Sequence, residues 1–128
     1  MTERQYDLGD AELAVLRALW EIGPCTVREV LDFLRDSGKV VAYTTVQTLL
    51  TRLEQKRHAA SNKSGLAYVY RAKLTRERVS KSRLNSLLAQ LYDGAAGPLV
   101  LQLVRSERLK PEEIRELHRL IDELDRHS

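Results

Sequence analysis

Cysteine is nearly missing from this chain, since Cys25 is the only one among 128 residues. A single thiol excludes an internal disulfide and a CxxC metal site. No second thiol and no base accompany Cys25, so a redox role is disfavoured. We expect Cys25 to be a small buried residue in a turn.

Long apolar segments are also missing. No run approaches the roughly 18 apolar residues of a membrane-crossing helix, and residues 1–5 lack the apolar stretch of a signal peptide. An apolar content of 43% is nevertheless enough to build a core. We expect one globular domain, or a small domain with an appendage, in the cytoplasm and without membrane contact.

Catalytic motifs are lacking too. The sequence contains no GxSxG, HExxH or phosphate loop, and His58, His118 and His127 fall on different predicted elements. His118 and His127 with Asp122 could form a weak zinc site, but a solvated helix surface is the favoured interpretation. The chain is therefore expected to be no enzyme and to need no metal or cofactor.

The most informative segment that is present covers residues 43–57. Its apolar residues Val46, Leu49, Leu50 and Leu53 repeat at i, i+3, i+4 and i+7, which predicts a helix with one buried face. The opposite face carries hydroxyls, amides and a guanidinium, groups that reach base edges and phosphates in a major groove. An ordinary amphipathic surface helix is the alternative, although such faces usually mix Glu and Lys. The polar face consists of Thr44, Thr48, Thr51 and Gln55, flanked by Gln47 and Arg52.

A hairpin is predicted directly after this helix. Residues 57–63 are typical of a short polar strand, Ser64-Gly65 of a turn, and residues 67–71 of a second strand. Tyr68 and Tyr70 alternate with smaller residues there and are expected to pack rather than to stack on bases. A helix followed by a basic hairpin is the plan of a winged helix-turn-helix. The hairpin could equally be a structural cover over the core, and the two roles are compatible.

Charge is concentrated in the same part of the chain. Residues 1–43 hold five Lys and Arg against eight Asp and Glu, residues 44–83 hold ten against two, and residues 84–128 hold six against eight. A basic block between two acidic ends indicates a nucleic-acid surface with steeply salt-dependent binding. Lys63 near the hairpin tip and Arg71 on the second strand could reach the DNA backbone. An anionic membrane is a poorer fit, because no basic amphipathic helix with aromatics is present.

The N-terminal part supplies a scaffold for this surface. Asp10 is a plausible N-cap of a first helix ending at Gly23-Pro24, and Cys25-Thr26 can form a short strand or a cap. A second helix would end at Ser37-Gly38, and Thr44 or Thr45 would cap the third. Three short helices and a hairpin form a DNA-binding core in which the second helix braces the third.

The C-terminal part is predicted to be helical and to mediate dimerisation. Thr75 can cap a fourth helix to about Tyr92, Pro98 suits the first turn of a fifth, and Pro111 opens a sixth with coiled-coil-like spacing. Three helices with this much apolar surface favour a homodimer interface over packing back onto the N-terminal part. The candidate dimerisation residues are Leu84, Leu88, Leu91, Leu99, Leu101, Leu103, Val104, Ile114, Leu117, Ile121 and Leu124.

These segments resemble the penicillinase-repressor family over about residues 8–125. The stretch Ala42-Tyr43-Thr44-Thr45-Val46-Gln47-Thr48-Leu49-Leu50-Thr51-Arg52-Leu53 is similar to that family's recognition-helix signature almost without change. Further similar segments are the opening from Leu8 to Trp20, Thr26 to Val30, Tyr68-Val69-Tyr70 of the second wing strand, and Leu99-Val100-Leu101 with Glu112-Glu113-Ile114 of the C-terminal helices.

The resemblance implies a homodimeric winged-helix repressor on a palindromic operator, often with TACA and TGTA half-site cores. Such repressors silence β-lactamase or related resistance genes and are released when a sensor-linked protease cuts the fifth helix. The corresponding bond here is Gln102–Leu103, where the family usually has Asn-Phe. A second departure is Arg57, where the family commonly has glycine after the lysine. The cysteine-rich metal site of the copper-responsive branch is missing.

The sequence thus predicts a mainly α protein with a small β-hairpin. Residues 1–73 would form a winged-helix DNA-binding domain and residues 74–128 a helical dimerisation domain. The expected partners are double-stranded operator DNA, a second copy of the chain and a sensor-linked protease. A regulator of other stress or metal-response genes, or a protein-interaction adaptor, is the alternative. The predicted DNA-binding residues are Tyr43, Thr44, Thr45, Gln47, Thr48, Thr51, Arg52, Lys63 and Arg71.

Overall fold

The computed structural model describes residues 6–127, which divide into two compact units, one ending at Ser86 and one beginning at Leu87. Residues 1–5, which bear on the expected lack of a signal peptide, lie outside the described residues. The prediction of a mainly α fold with a small β-structure is confirmed. The elements are α1 (Asp10–Ile22), β1 (Cys25–Thr26), α2 (Val27–Asp36), α3 (Tyr43–Gln55), β2 (Ala59–Asn62), β3 (Val69–Ala72), α4 (Arg76–Leu91), α5 (Ala96–Ser106) and α6 (Pro111–Arg126).

The N-terminal caps of α1 and α2 follow one pattern, in which a glutamate bonds back to the capping residue. Gly9, not the predicted Asp10, is the N-cap of α1, and the Glu12 carboxylate accepts its N–H at 2.9 Å. Asp10 is instead the first helical residue. The predicted cap Thr26 is confirmed, because its hydroxyl accepts the Glu29 N–H at 3.2 Å and the Glu29 carboxylate accepts the Thr26 N–H at 2.9 Å.

Helix α3 begins earlier than predicted. Ala42 is its N-cap and supplies no side-chain hydrogen bond, so the predicted caps Thr44 and Thr45 are wrong. Helical bonding already starts where the Val46 N–H donates to the Ala42 carbonyl at 3.2 Å. Both threonines therefore lie within the first turn, with their side chains exposed.

A single apolar core holds the first unit together. The four apolar residues that predicted the buried face of α3 are all buried, and Val46, Leu50 and Leu53 have no exposed surface. Complete burial of a leucine or valine side chain stabilises a fold by about 1.5–3 kcal/mol. The remaining core residues are Leu8, Val15, Leu16, Ala18, Leu19, Cys25, Val27, Val30, Leu31, Leu34, Ala59, Tyr70, Leu74 and Val79.

The three strands form an antiparallel sheet in the order β1-β3-β2, with Tyr70 of β3 between Cys25 and Ser61. Both hairpin strands start two residues later than predicted, and the connection between them is longer than the predicted Ser64-Gly65 turn. Tyr70 is buried, as expected. Tyr68 lies outside β3 with 49% of its surface exposed, so its predicted packing is wrong.

Cys25 is buried, as predicted, although it lies in β1 rather than in a turn. Burial, together with the charge of Glu29, raises the pKa of its thiol to about 11. The thiol is therefore protonated at neutral pH, and a protonated thiol is a poor nucleophile.

The start of α4 is bound to α1. The Trp20 indole N–H donates to the Leu74 carbonyl at 2.8 Å, and the Arg76 guanidinium lies 5.4 Å from the Trp20 ring centroid. Arg76 also pairs with Glu21 at 2.6 Å. The predicted cap is confirmed, because the Thr75 hydroxyl accepts the Arg78 N–H at 3.2 Å. The first turns of α4 thus belong to the first unit.

The second unit contains the end of α4 together with α5 and α6. Helix α5 begins at Ala96, so Pro98 lies in its first turn, as predicted. Helix α6 begins at Pro111, as predicted. Within residues 6–127, no single helix is long and apolar enough to cross a membrane, although α4 and α5 pass that test as a bent pair.

Candidate nucleic-acid interface

The outward face of α3 presents the predicted polar residues to solvent. Thr44, Thr45, Gln47, Thr48, Thr51, Arg52 and Gln55 are all exposed, and Tyr43 at the helix start is 43% exposed. Their apolar neighbours in the sequence fill the core, so the orientation of this face is fixed by burial of the opposite one. The structure places all the predicted α3 residues on one continuous exposed surface.

The hydrogen-bonding groups of this face differ in what they can offer a ligand. The Thr48 hydroxyl donates to the Thr44 carbonyl at 3.0 Å, and the Thr51 hydroxyl to the Gln47 carbonyl at 2.9 Å. Both hydroxyls retain acceptor lone pairs toward solvent. Among the described residues, Arg52 forms no salt bridge, so its guanidinium fork is available to a ligand.

Glu54 ties the hairpin to the end of α3. Its carboxylate accepts the Ser61 hydroxyl of β2 at 2.6 Å, and its other oxygen lies 3.8 Å from the Lys63 ammonium. Lys63 also stands 5.5 Å above the Tyr68 ring centroid. The single acid of α3 therefore has a structural role, in which it holds the C-terminal end of β2 next to the end of α3.

The C-terminus of α3 ends on Arg57, which takes the left-handed conformation at φ 66°. The His58 N–H bonds to the Leu53 carbonyl at 2.8 Å and the Arg57 N–H to the Glu54 carbonyl at 3.0 Å. These two bonds form a Schellman motif, in which the left-handed position is usually glycine. The chain thus ends α3 with a Schellman motif that has arginine at the left-handed position, and Arg57 places an exposed cation there.

Lys56 anchors the same helix end to α1. Its ammonium lies 2.9 Å from each oxygen of the nearly buried Glu12 carboxylate and 3.4 Å from Asp7. Burial alone would raise the pKa of Glu12, but the bonds from Lys56 and from the Gly9 N–H outweigh it and lower that pKa. The same pairing raises the pKa of Lys56. Lys56 is therefore occupied within the fold and is not a free phosphate ligand.

No acidic residue occurs between Gln55 and Arg76 in the sequence, whereas five lysines and arginines do. Arg71, on β3, is exposed and forms no salt bridge with any residue of the described range 6–127. Lys39, in the connection before α3, is an exposed cation that the sequence analysis missed. The sequence signal for it was a lysine in the connection that leads from α2 to α3.

The second unit exposes most of the predicted dimerisation residues, whereas Leu84 is exposed on the part of α4 that belongs to the first unit. No residue of α5 or α6 is buried, and the exposed fractions of Leu101, Val104 and Leu124 are 54%, 50% and 71%. An apolar groove of about 370 Å³ lies between α5 and α6, with Val100, Val104, Ile114, Leu117 and Ile121 in its walls. Leu88, Leu99 and Leu117 are partly buried within the chain.

The Gln102–Leu103 bond lies inside α5. The Gln102 side-chain carbonyl accepts the Tyr92 hydroxyl at 2.8 Å, and its main-chain carbonyl accepts the Ser106 hydroxyl at 2.7 Å. The bond is therefore helical, and both carbonyls of Gln102 are hydrogen-bonded. Within the described residues, no group of three or more His, Cys, Asp and Glu side chains is placed to hold a metal ion.

The fold and this surface define a winged-helix protein with a basic, acid-poor recognition face. The sequence model of the penicillinase repressor matches residues 8–123, and the chain belongs to that family. A penicillinase repressor of Bacillus licheniformis is 28% identical over 116 residues, which are 91% of this chain and 90% of that one.

Two further proteins show the same relationship. The transcriptional regulator BlaI of Mycobacterium tuberculosis is 33% identical over 120 residues, which are 92% of this chain and 85% of that protein. The solution structure of the DNA binding domain of the repressor BlaI is 26% identical, with a TM-score of 0.51 over 60% of this chain and 93% of that one.

Proposed function

We propose that this chain is a transcriptional repressor that binds double-stranded DNA with α3 in the major groove. The observation that carries the proposal is the outward face of α3, whose exposed amide, hydroxyl and guanidinium groups lie beside a basic hairpin without acidic residues. Major-groove base edges offer donors and acceptors to these groups. The DNA-binding domain named in the BlaI structure supports this proposal.

The residues would divide into those that position the protein and those that read sequence. Lys63, Arg71 and the first turn of α3, where unpaired N–H groups favour anions, would contact phosphates. Thr45, Gln47, Thr48 and Arg52 would read base edges. Gln pairs bidentately with adenine and Arg with guanine, and each such contact discriminates by about 1–3 kcal/mol.

The second unit would join two copies of the chain. The apolar side chains of α5 and α6 are exposed, and a groove lies between the two helices. Large exposed apolar patches mark interaction sites. A dimer would place two α3 helices on the two halves of a palindrome, so that the two modest affinities reinforce each other.

The regulated genes would be those for β-lactamase or related resistance functions, as the names of the relatives suggest. Release would follow cleavage of the Gln102–Leu103 bond by a sensor-linked protease. Because proteases bind extended substrates and this bond is helical, the middle of α5 would have to open first. The Tyr92 and Ser106 hydrogen bonds to Gln102 would oppose that opening.

The experiment is a fluorescence anisotropy titration of the whole chain with a palindromic TACA/TGTA duplex, a scrambled duplex of equal composition and a duplex with one half-site. The proposal predicts preference for the palindrome, with two chains bound per duplex. Equal affinity for the palindrome and the scrambled duplex would contradict it. One chain bound per palindrome would contradict the dimer.

A further inference from the structure

The tip of the wing carries an aliphatic side chain that the fold leaves entirely in solvent. Leu66 has an exposed fraction of 111%, so its side chain packs on nothing within the described chain. Single exposed leucines are common and need no explanation by themselves. The surroundings of Leu66 are what distinguish it.

The tip is held in place relative to the recognition helix. Asn62 closes its first side, since its side-chain carbonyl accepts the Ser64 N–H at 3.0 Å and the Ser64 hydroxyl at 2.7 Å. Lys63 stands 5.5 Å above the ring of Tyr68 and 3.8 Å from Glu54 of α3. Leu66 lies between Lys63 and Tyr68 in the sequence, at the end of a hairpin whose first strand is bonded to α3 through Glu54.

The charges around Leu66 favour DNA over an apolar protein partner. Lys63 and Arg71 flank the tip, and the segment between Glu54 and Glu77 has no acid. If α3 lies in the major groove, the hairpin that Glu54 ties to it would lie beside the neighbouring phosphates and the minor groove. That groove is about 6 Å wide, which admits one aliphatic side chain but not a two-stranded hairpin.

We infer that Leu66 enters the minor groove beside each half-site and reads it by shape; this inference rests on the proposed function. The walls of the groove are deoxyribose rings, and apolar side chains are used elsewhere as minor-groove wedges. A leucine forms no hydrogen bond, so it distinguishes base pairs by the guanine N2 amino group, which occupies the groove floor. Leu66 therefore confers a preference for A·T pairs at a position that α3 does not touch.

The test compares the whole chain with Leu66→Ala, Leu66→Met and Lys63→Ala on the palindromic TACA/TGTA duplex over a series of salt concentrations. Leu66→Ala is expected to bind roughly tenfold more weakly, because apolar contact area is lost. The slope of log affinity against log salt concentration (the salt slope) should not change, because no charge is removed. Leu66→Met should stay within about twofold of the unmodified chain, since its volume and polarity are similar. Lys63→Ala should instead lower the salt slope by about 1.

A second arm locates the contact. Duplexes in which single flanking A·T pairs are replaced by G·C or by inosine·C differ in the minor-groove amino group, which inosine lacks. The unmodified chain should bind G·C more weakly than inosine·C at the wing position, and Leu66→Ala should bind both equally. Ile22→Ala, which shortens an exposed aliphatic side chain at the end of α1, is the matched control and should behave as the unmodified chain.

Three results would overturn the inference in different ways. Unchanged affinity of Leu66→Ala would show that the tip does not touch DNA. If Leu66→Ala loses the same affinity on the G·C and inosine·C duplexes, the contact lies outside the minor groove. Equal affinity of the unmodified chain for palindromic and scrambled duplexes would overturn the proposed function together with the inference. The first two results would overturn only the Leu66 contact and leave the proposed function standing.

Discussion

Individual residues of the recognition face were predictable where periodicity decides exposure. The i, i+3, i+4 spacing of Val46, Leu49 and Leu50 fixed which side of α3 is buried, so the exposure of Thr48 and Arg52 followed. What periodicity could not show is how individual polar groups are bonded. Glu54, the single acid of α3, accepts a hydrogen bond from Ser61 and lies near Lys63 of the hairpin, and no spacing pattern indicates these contacts.

Arg52 provides the most direct prediction at the residue scale. Arg52→Lys keeps the charge and loses the planar fork, so the salt slope should be retained while discrimination against one base-pair change falls by about 1–3 kcal/mol. Arg52→Ala should lose both discrimination and about one unit of slope. Anisotropy titrations with single-substituted duplexes measure both effects. Unchanged discrimination in Arg52→Lys would remove Arg52 from the base-reading set.

Arg57 combines a backbone cost with a charge. Its left-handed φ of 66° costs a non-glycine residue about 1 kcal/mol. Arg57→Gly should therefore stabilise the fold by up to about 1 kcal/mol, less what glycine gains in unfolded-chain entropy, while DNA binding becomes less salt-dependent. Urea unfolding measures the change in stability, and DNA titrations at several salt concentrations measure the change in salt dependence. A destabilised Arg57→Gly variant would show that the left-handed position carries no strain.

The elements were predicted more accurately in their existence than in their ends. All six helices and both hairpin strands were expected, but the caps of α1 and α3 and the strand starts were not. The cap of α1 depends on Glu12, whose carboxylate is held by Lys56, 44 residues away in the sequence. Local sequence patterns contain no information on such a contact.

The ion pair between Glu12 and Lys56, which anchors the end of α3 to α1, should make the free energy of unfolding depend on pH. The pKa of Glu12 is lower in the folded than in the unfolded chain. The Glu12 carboxylate therefore stabilises the fold fully at pH values above its pKa in the unfolded chain, and this stabilisation disappears as the pH falls through its pKa in the folded chain. Glu12→Gln should lower the free energy of unfolding by about 2 kcal/mol at neutral pH, since a charge-assisted bond is weakened.

The difference between Glu12→Gln and the unmodified chain should shrink in acid. Urea unfolding at neutral pH and at several points below the ordinary glutamate pKa measures this. Glu29→Gln, at the equivalent position of α2 but exposed and without a lysine partner in the described chain, is the matched control. A constant difference at all pH values would mean that the Glu12 carboxylate is not charged in the folded protein.

The whole molecule consists of two units with different surfaces. The predicted boundary between a DNA-binding domain and a dimerisation domain, between residues 73 and 74, stays a prediction. The two compact units of the structure divide between Ser86 and Leu87. Trp20 explains why the early turns of α4 belong with the first unit, since its indole binds the Leu74 carbonyl. The sequence pattern assigned α4 to dimerisation because its leucines are at helical spacing, and it could not show this long-range bond.

A chain ending at Ser86 should separate the two units. It retains the buried Leu74 and Val79, so it should unfold cooperatively, whereas a chain ending at Lys73 loses both and should be less stable. The chain ending at Ser86 should be monomeric by analytical ultracentrifugation and should bind the palindrome at least about 100-fold more weakly, because the second site no longer adds to the first. Undiminished affinity for the palindrome would contradict dimerisation through the second unit.

We propose that the exposed face of α3 and the basic hairpin together read a palindromic DNA sequence. The most direct measurement is the affinity of the unmodified chain for palindromic TACA/TGTA and scrambled duplexes across a range of salt concentrations. We expect binding to fall steeply with salt on both duplexes and to favour the palindrome at every salt concentration. Binding that is insensitive to salt, or equal on the two duplexes, would contradict it.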